Sequence, residues 1–133
     1  MADNTPLVLK QWHAVLANRD MALLQNILAD NVVFHSPVVH TPQQGKQLCM
    51  AYLGAAAHVL GTPDFKYLRE VISERVAVLE FVTELDGIVI NGVDIIEWDD
   101  NNQITDSKVM VRPLKAIGVV HQKMADMLSA MKG

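Results

Sequence analysis

The stretch NVVFHSPVVHTPQQG, Asn31 to Gly45, places two histidines, a serine and two prolines behind a run of β-formers. His35 beside Ser36 could supply a base and a hydroxyl nucleophile, and His35 with His40 could begin a metal-ligand set. Each chemistry needs partners that the stretch lacks. A serine needs an activating base that is itself held by a third group, and none is adjacent. Consecutive strand residues also point to opposite faces, so His35 shares the direction of Ser36 only if Pro37 or a bulge re-aims it. Zinc wants three or four ligands at fixed geometry. His13, His58 and His121 fall on separate predicted helices, Cys49 is alone, and neither HExxH nor CxxC occurs. We therefore expect no metal and no cofactor. Ser36 is read as a polar pocket wall and His35 as a sheet-face or interface residue. His121 is read as an interface or partly buried histidine of the last helix, the one histidine able to cover a pocket mouth.

The totals narrow the classes that could use such a site. A chain of 133 residues suits a single domain over 1–133, and half of its residues are hydrophobic. That apolar share points to an interface or an apolar cavity. Lys plus Arg number 11 against 15 Asp plus Glu, a net charge of −4, with no basic cluster. Nucleic acid, which is held through clustered positive charge, is not an expected partner. A lone cysteine forms no internal disulfide, and MADNTP has neither a basic n-region nor an apolar h-region, so a cytoplasmic protein is expected. Charged and polar residues interrupt every hydrophobic stretch, so no membrane association is expected.

The elements that must position the site follow from periodicity. Thr5-Pro6 opens a helix carrying Val8, Trp12, Val15 and Leu16, and Asp20 caps a second that ends near Asp30. Val32 to Phe34 begin a short strand that Pro37 stops. Thr41, Pro42 and Gln44 read as a capping-box start for a helix to about Gly61. Four strands follow, FKYLREVIS, RVAVLEFVTEL, IVINGVDIIEW and QITDSKVMVR, broken at Ser73-Glu74, Asp86-Gly87 and Asp99 to Asn102. Parity puts Gly92, Asp94, Ile96 and Trp98 on one face and Val93, Ile95 and Glu97 on the other. Ser107, Val109 and Val111 face inward, with Lys108 and Met110 outward. Because RVAVLEFV and VDIIEW are apolar on both parities, both sheet faces are expected to be covered, one by helices and one by a partner chain. Pro113 opens a last helix with Ile117, Val120, Met124, Met127, Leu128 and Met131 on one side.

LADNVVFHSP followed by VDIIEWDDNNQITDSKVMVRPL resembles the nuclear transport factor 2-like superfamily, in the branch of SnoaL-like polyketide cyclases and ketosteroid isomerases. The resemblance covers nearly the whole chain. It implies an α+β, cystatin-like fold: a cone-shaped, curved antiparallel sheet wrapped around N-terminal helices, here with an additional C-terminal helix. It also implies a conical cavity and dimerisation through the outer sheet face, including Val93, Ile95 and Met110. Gapless matching sets Asp94 where the isomerases have an oxyanion-hole carboxylic acid kept neutral by an apolar site. The flanking Val93, Ile95 and Ile96 suit a raised pKa there; the alternative is a solvated carboxylate at a pocket rim. Ser36 stands where those enzymes have an aspartate general base, and Trp12 where they have a tyrosine. Indole N–H donates a hydrogen bond but is no useful acid, and Trp12 also reads simply as a core aromatic. Epoxide hydrolysis of the limonene type is disfavoured, since Gly92 and Val109 replace its Arg and second Asp.

The resulting expectation is a small hydrophobic molecule bound by Trp12, Phe34, His35, Trp98, Ser107, Val109 and Val111, with Asp94 and Ser36 as the candidate catalytic groups. Binding alone, isomerase, cyclase or lyase chemistry on a carbonyl compound, and a dimeric interaction module with an incidental cavity remain the alternatives. Fold alone does not choose between them.

Overall fold

The computed structural model describes residues 5–132. Helix α1, Leu7–Asn18, buries Val8, Leu9, Trp12 and Val15, the three- and four-residue spacing that makes one helical face. Arg19 closes it in the left-handed region at φ 51°. The Asp20 carboxylate then accepts from the Leu23 N–H at 3.1 Å and starts α2, Met21–Ile27. This helix gives way at once to β1, Leu28–His35, so the strand begins before the expected Asp30 boundary.

The proposed capping box at Thr41 to Gln44 does not form. Gln43–Gln44 instead become β2, pairing with Phe34 and Val33, and the Gly45 N–H donates to Val32 O at 2.8 Å. The free edge of β1 competes for these backbone groups, and Gly45 turns the chain at φ 95°, a conformation that suits glycine. Helix α3, Lys46–Leu60, follows.

Strands β3 (Lys66–Ile72), β4 (Val76–Leu85), β5 (Ile88–Trp98) and β6 (Ile104–Arg112) form the expected antiparallel meander. Asp86 and Gly87, both at positive φ, make the tight turn between β4 and β5. The whole sheet is mixed, in the order β2-β1-β6-β5-β4-β3, because β1 runs parallel to β6. After Pro113, α4 (Leu114–Lys132) packs on α3 and reaches β5 and β6. No helix of the described residues is long and apolar enough to cross a membrane.

Alternation separates two sheet faces. Ala77, Leu79, Phe81, Ile90, Asp94, Ile96, Ser107 and Val109 point into the core against α1 and α3. The outer face carries Val78, Val93, Ile95 and Met110, but it is not wholly apolar. Arg69, Glu80, Asn91 and Arg112 form a hydrogen-bonded row across it.

Gly92 is the position in the inner face that cannot carry a side chain. A Cβ there would lie 2.5 Å from Phe81 Cζ and 2.7 Å from Met110 O. Gly92→Ala should therefore cost about 1–3 kcal/mol by overpacking. Gly118→Ala, in α4 with nothing near its Cβ, should be neutral or stabilising by up to about 1 kcal/mol. Urea unfolding of both variants checks the contrast.

Candidate functional site

The space left by Gly92 is filled by the ring of Phe81, its register partner on β4. Phe65 stacks on Phe81 with ring centroids 5.2 Å apart, and Tyr67 meets both rings edge-on. This aromatic cluster carries the Tyr67 hydroxyl from β3 across β4 to β5. There it donates to Asp94 Oδ2 at 2.8 Å and accepts from Trp12 Nε1 at 3.0 Å. An indole N–H can only donate, so the single proton of Tyr67 is directed at Asp94.

Asp94 is 6% exposed. Its Oδ1 has no hydrogen-bond partner among the described residues. Burial disfavours the charged carboxylate and pushes its pKa from 3.8 up to about 7, against the opposing effect of the Tyr67 hydrogen bond. Burial, and then the charge of Asp94, push the Tyr67 hydroxyl well above its ordinary 10.0. The tyrosine is therefore a fixed donor, and Asp94 is the group that changes charge near neutrality.

Asp94 lies on the wall of an almost wholly apolar cavity with Trp12, Leu16, Phe65, Phe81 and Val109, the last directly opposite it in register. The cavity measures about 30 Å³. That is room for one or two waters, well below the roughly 300 Å³ at the lower end of small-molecule sites. Outside it is a groove of about 540 Å³ between the C-terminal end of α1 and the start of β3. Leu16, Phe65 and Tyr67 border this groove, and Leu16 and Phe65 also wall the cavity.

Of the residues read from sequence as site residues, Trp12, Asp94 and Val109 meet at this cavity. Phe34 is buried beside Tyr52, and Trp98 is buried opposite Ile104 at the end of β5. Ser107 is fully buried, its Oγ without a partner, between Phe34 and Ile96 in register. His35, Ser36 and Val111 line a separate surface groove of about 500 Å³ with His40 and Lys108. There Ser36 Oγ accepts from the Val38 N–H at 3.2 Å, and His35 Nε2 faces Asp106 Oδ2 at 3.1 Å. No three His, Cys, Asp or Glu side chains among the described residues converge to hold a metal ion. His121 is exposed on α4. Tyr67 was missed in the sequence. The usable signal was Phe65 and Tyr67 two apart at the start of a strand, which puts both rings on one face.

The SnoaL-like domain family model matches residues 9–107. The chain belongs to the SnoaL-like family. A solved structure described as a steroid delta-isomerase from Pseudomonas aeruginosa is 32% identical, with 93% of this chain and 90% of that one aligned at a TM-score of 0.87. A protein with a cystatin-like fold from Silicibacter pomeroyi is 26% identical over 93% and 86%, TM-score 0.85. A nuclear transport factor 2-like protein of Mesorhizobium loti, 19% identical over 85% and 98% at TM-score 0.70, shares the fold. No curated protein sequence matches the chain. The SnoaL-like and nuclear transport factor 2-like reading of the sequence thus stands, with the sheet mixed where it was expected to be antiparallel.

A raised folded pKa means that the native state holds the Asp94 proton more tightly than the unfolded chain does. Stability linked to Asp94 is complete below pH 3.8, declines as pH rises, and is lost above about 7. The full span is at most about 4 kcal/mol. Asp94→Asn, neutral at every pH, should escape that decline and gain on the wild type through this window in urea unfolding. Tyr67→Phe removes the one bond that favours the carboxylate and should raise the Asp94 midpoint further. An NMR titration of the carboxyl reads both; a wild-type midpoint at or below 3.8 would contradict this account.

Proposed function

We propose that this SnoaL-like domain binds a small, mostly apolar molecule carrying a carbonyl or hydroxyl oxygen, with Asp94 as its polar anchor. The supporting observation is the Asp94 carboxyl itself. A structural buried carboxyl is normally surrounded by donors, whereas this one has only Tyr67 among the described residues and lies on the wall of an apolar cavity. Protonated, Asp94 donates to a carbonyl; ionised, it accepts from a hydroxyl. Admission requires the side chains of Leu16 and Phe65 to move, since the cavity itself is small. Trp12 acts through Tyr67 and holds its hydroxyl in line.

Proton transfer next to the bound carbonyl is the second reading. A pKa of about 7 favours it, because acid and base forms are then both populated at neutral pH. The relative described as a steroid delta-isomerase lends it support. Ser36, at the position of the isomerase base, is turned into its own loop in the other groove. In this reading the ionised Asp94 takes the proton and, once protonated, returns it, so apolar contacts and not an Asp94 hydrogen bond hold the carbonyl compound while the proton is removed. Ser36→Ala is accordingly expected to remove about 1 kcal/mol at most and to leave turnover within a few-fold; a loss of several orders of magnitude would make Ser36 a catalytic group.

The test of the main reading is mass spectrometry of small molecules released from purified protein, followed by titration with neutral aromatic ketones read by tryptophan fluorescence. Asp94→Asn, whose amide still donates, should keep ketone binding, and Asp94→Leu should lose it. Turnover lost in Asp94→Asn with binding intact would select the acid-base reading. Equal binding by wild type and Asp94→Leu would overturn both.

We further propose a homodimer through the outer sheet face, where Val93 and Ile95 are partly exposed, Met110 is 48% exposed and Val71 is 65% exposed. Apolar area of this kind on one face is unusual in a soluble monomer. Sedimentation should show a dimer that Ile95→Lys converts to monomer; monomer alone at micromolar wild-type protein would refute it.

A further inference from the structure

We propose that the groove outside the cavity recognises a carboxylate on the far end of the ligand, so that the ligand is an apolar keto acid rather than a neutral ketone. The inference rests on the reading of Asp94 as the carbonyl anchor. Tyr67 links the two: it borders the groove and its hydroxyl touches Asp94, so one residue reaches from the groove to the buried carboxyl. A molecule passing between Leu16 and Phe65 with its carbonyl inward leaves its other end in the groove.

In a chain of net charge −4, the charged residues that line this groove are both basic. Arg19 and Lys66 line it, and neither has a carboxylate within ion-pair distance among the described residues. Lys46, Arg69, Arg75 and Lys123, by contrast, are all paired with acids. Among the described residues, no acidic residue is part of its lining. Two acids flank it: Asp64 stands between the lining residues Pro63 and Phe65, its N–H donating to Thr62 Oγ1 at 3.3 Å, and Glu70 lies against the lining His13, Oε1 to Nε2 at 2.7 Å. The C-terminal ends of α1 and α3 both come to this groove, and their carbonyls oppose an anion. Arg19 answers that opposition directly: its Nη2 donates to Gly61 O at 3.1 Å, at the end of α3. The same bond fixes the guanidinium beside the groove, and its other N–H groups stay available in the fork that suits a carboxylate. Lys66, at the first position of β3, alternates in direction with Phe65 and Tyr67, so its positive charge acts from the rim of the groove and not from its floor.

The experiment compares para-acetylbenzoate with its methyl ester, which share a ketone and differ in the carboxylate. Affinities are measured by calorimetry for the wild type, Lys66→Gln, Arg19→Gln and Lys108→Gln. The acid should bind the wild type about five- to tenfold more tightly than the ester, and the preference should shrink at high salt. Lys66→Gln and Arg19→Gln should each reduce the ratio of acid to ester affinity. Gln at 19 retains a donor for Gly61 O, and Lys66→Gln carries the test alone if that variant folds poorly. Lys108→Gln, in the other groove, should leave the ratio intact. Equal affinity of acid and ester in the wild type overturns the keto-acid proposal and spares the Asp94 reading. A preference untouched by both groove variants overturns the assignment to this groove. Failure of both compounds to bind overturns both readings together.

Discussion

Asp94 is a carboxyl group taken out of water and given one donor, and the surrounding architecture is built around that condition. Desolvation carries its pKa from 3.8 up to about 7 even against the Tyr67 hydrogen bond, because the protein supplies little else to stabilise the charge. The Tyr67 hydroxyl that does reach it is held in place by a second hydrogen bond, from Trp12. Helix α1, strand β3 and strand β5 are therefore joined at one hydroxyl. The polarity of this chain has a single direction, from indole to phenol to carboxyl. When Asp94 is protonated, its own proton is thus best placed on Oδ1, the oxygen that Tyr67 does not bond.

The rest of the core makes that arrangement possible. Without a side chain at Gly92, the Phe81 ring can lie over β5, and Phe65 stacks on it from the approach to β3. These rings help exclude water from the carboxyl and, with Leu16, Leu53 and Leu60 from the helices, wall a cavity of only about 30 Å³. Closure and desolvation have the same cause here. A ligand that displaced Leu16 and Phe65 would replace one apolar neighbour of Asp94 with another and keep the carboxyl dry while gaining it a partner.

Most of the fold was legible because periodicity reports burial. The four long strands, the Asp86-Gly87 turn, the inward parity of Asp94 and Val109, and the Asp20 cap are all local consequences of local residue order. What was not legible depends on distant pairing. Thr41 to Gln44 has the residue types of a helix cap, but an open strand edge contributed by Val33 and Phe34 takes the backbone first. The parallel pairing of β1 with β6 is invisible for the same reason. At the site, matching by position brought out Asp94 and Trp12 but assumed that Ser36 shared their cavity. Pro37 ends β1 early enough for Ser36 to turn into its own loop. Tyr67 was obscured by the register shift between Tyr67 and Arg69, which breaks the alternation that would have marked it as inward.

The size of the Asp94 effect bears on what the carboxyl is for. Up to about 4 kcal/mol of pH-linked stability is a large share of the roughly 5–15 kcal/mol typical of a whole domain. An asparagine would fill the same volume, hydrogen-bond to Tyr67 and donate to a carbonyl without that liability. What it could not do is gain and lose a proton. A site that only had to hold a ketone would be served as well by the amide, so the presence of the acid favours either proton transfer or a ligand whose hydroxyl needs a charged acceptor. The pKa of about 7 separates these less sharply than the groove does. With Arg19 and Lys66 outside and an apolar cavity inside, a ligand carboxylate is drawn to the mouth by charge and kept from the interior by the cost of desolvating it. Under the keto-acid proposal, these two effects would orient the ligand one way round, carbonyl inward, without any polar contact along the apolar body between them.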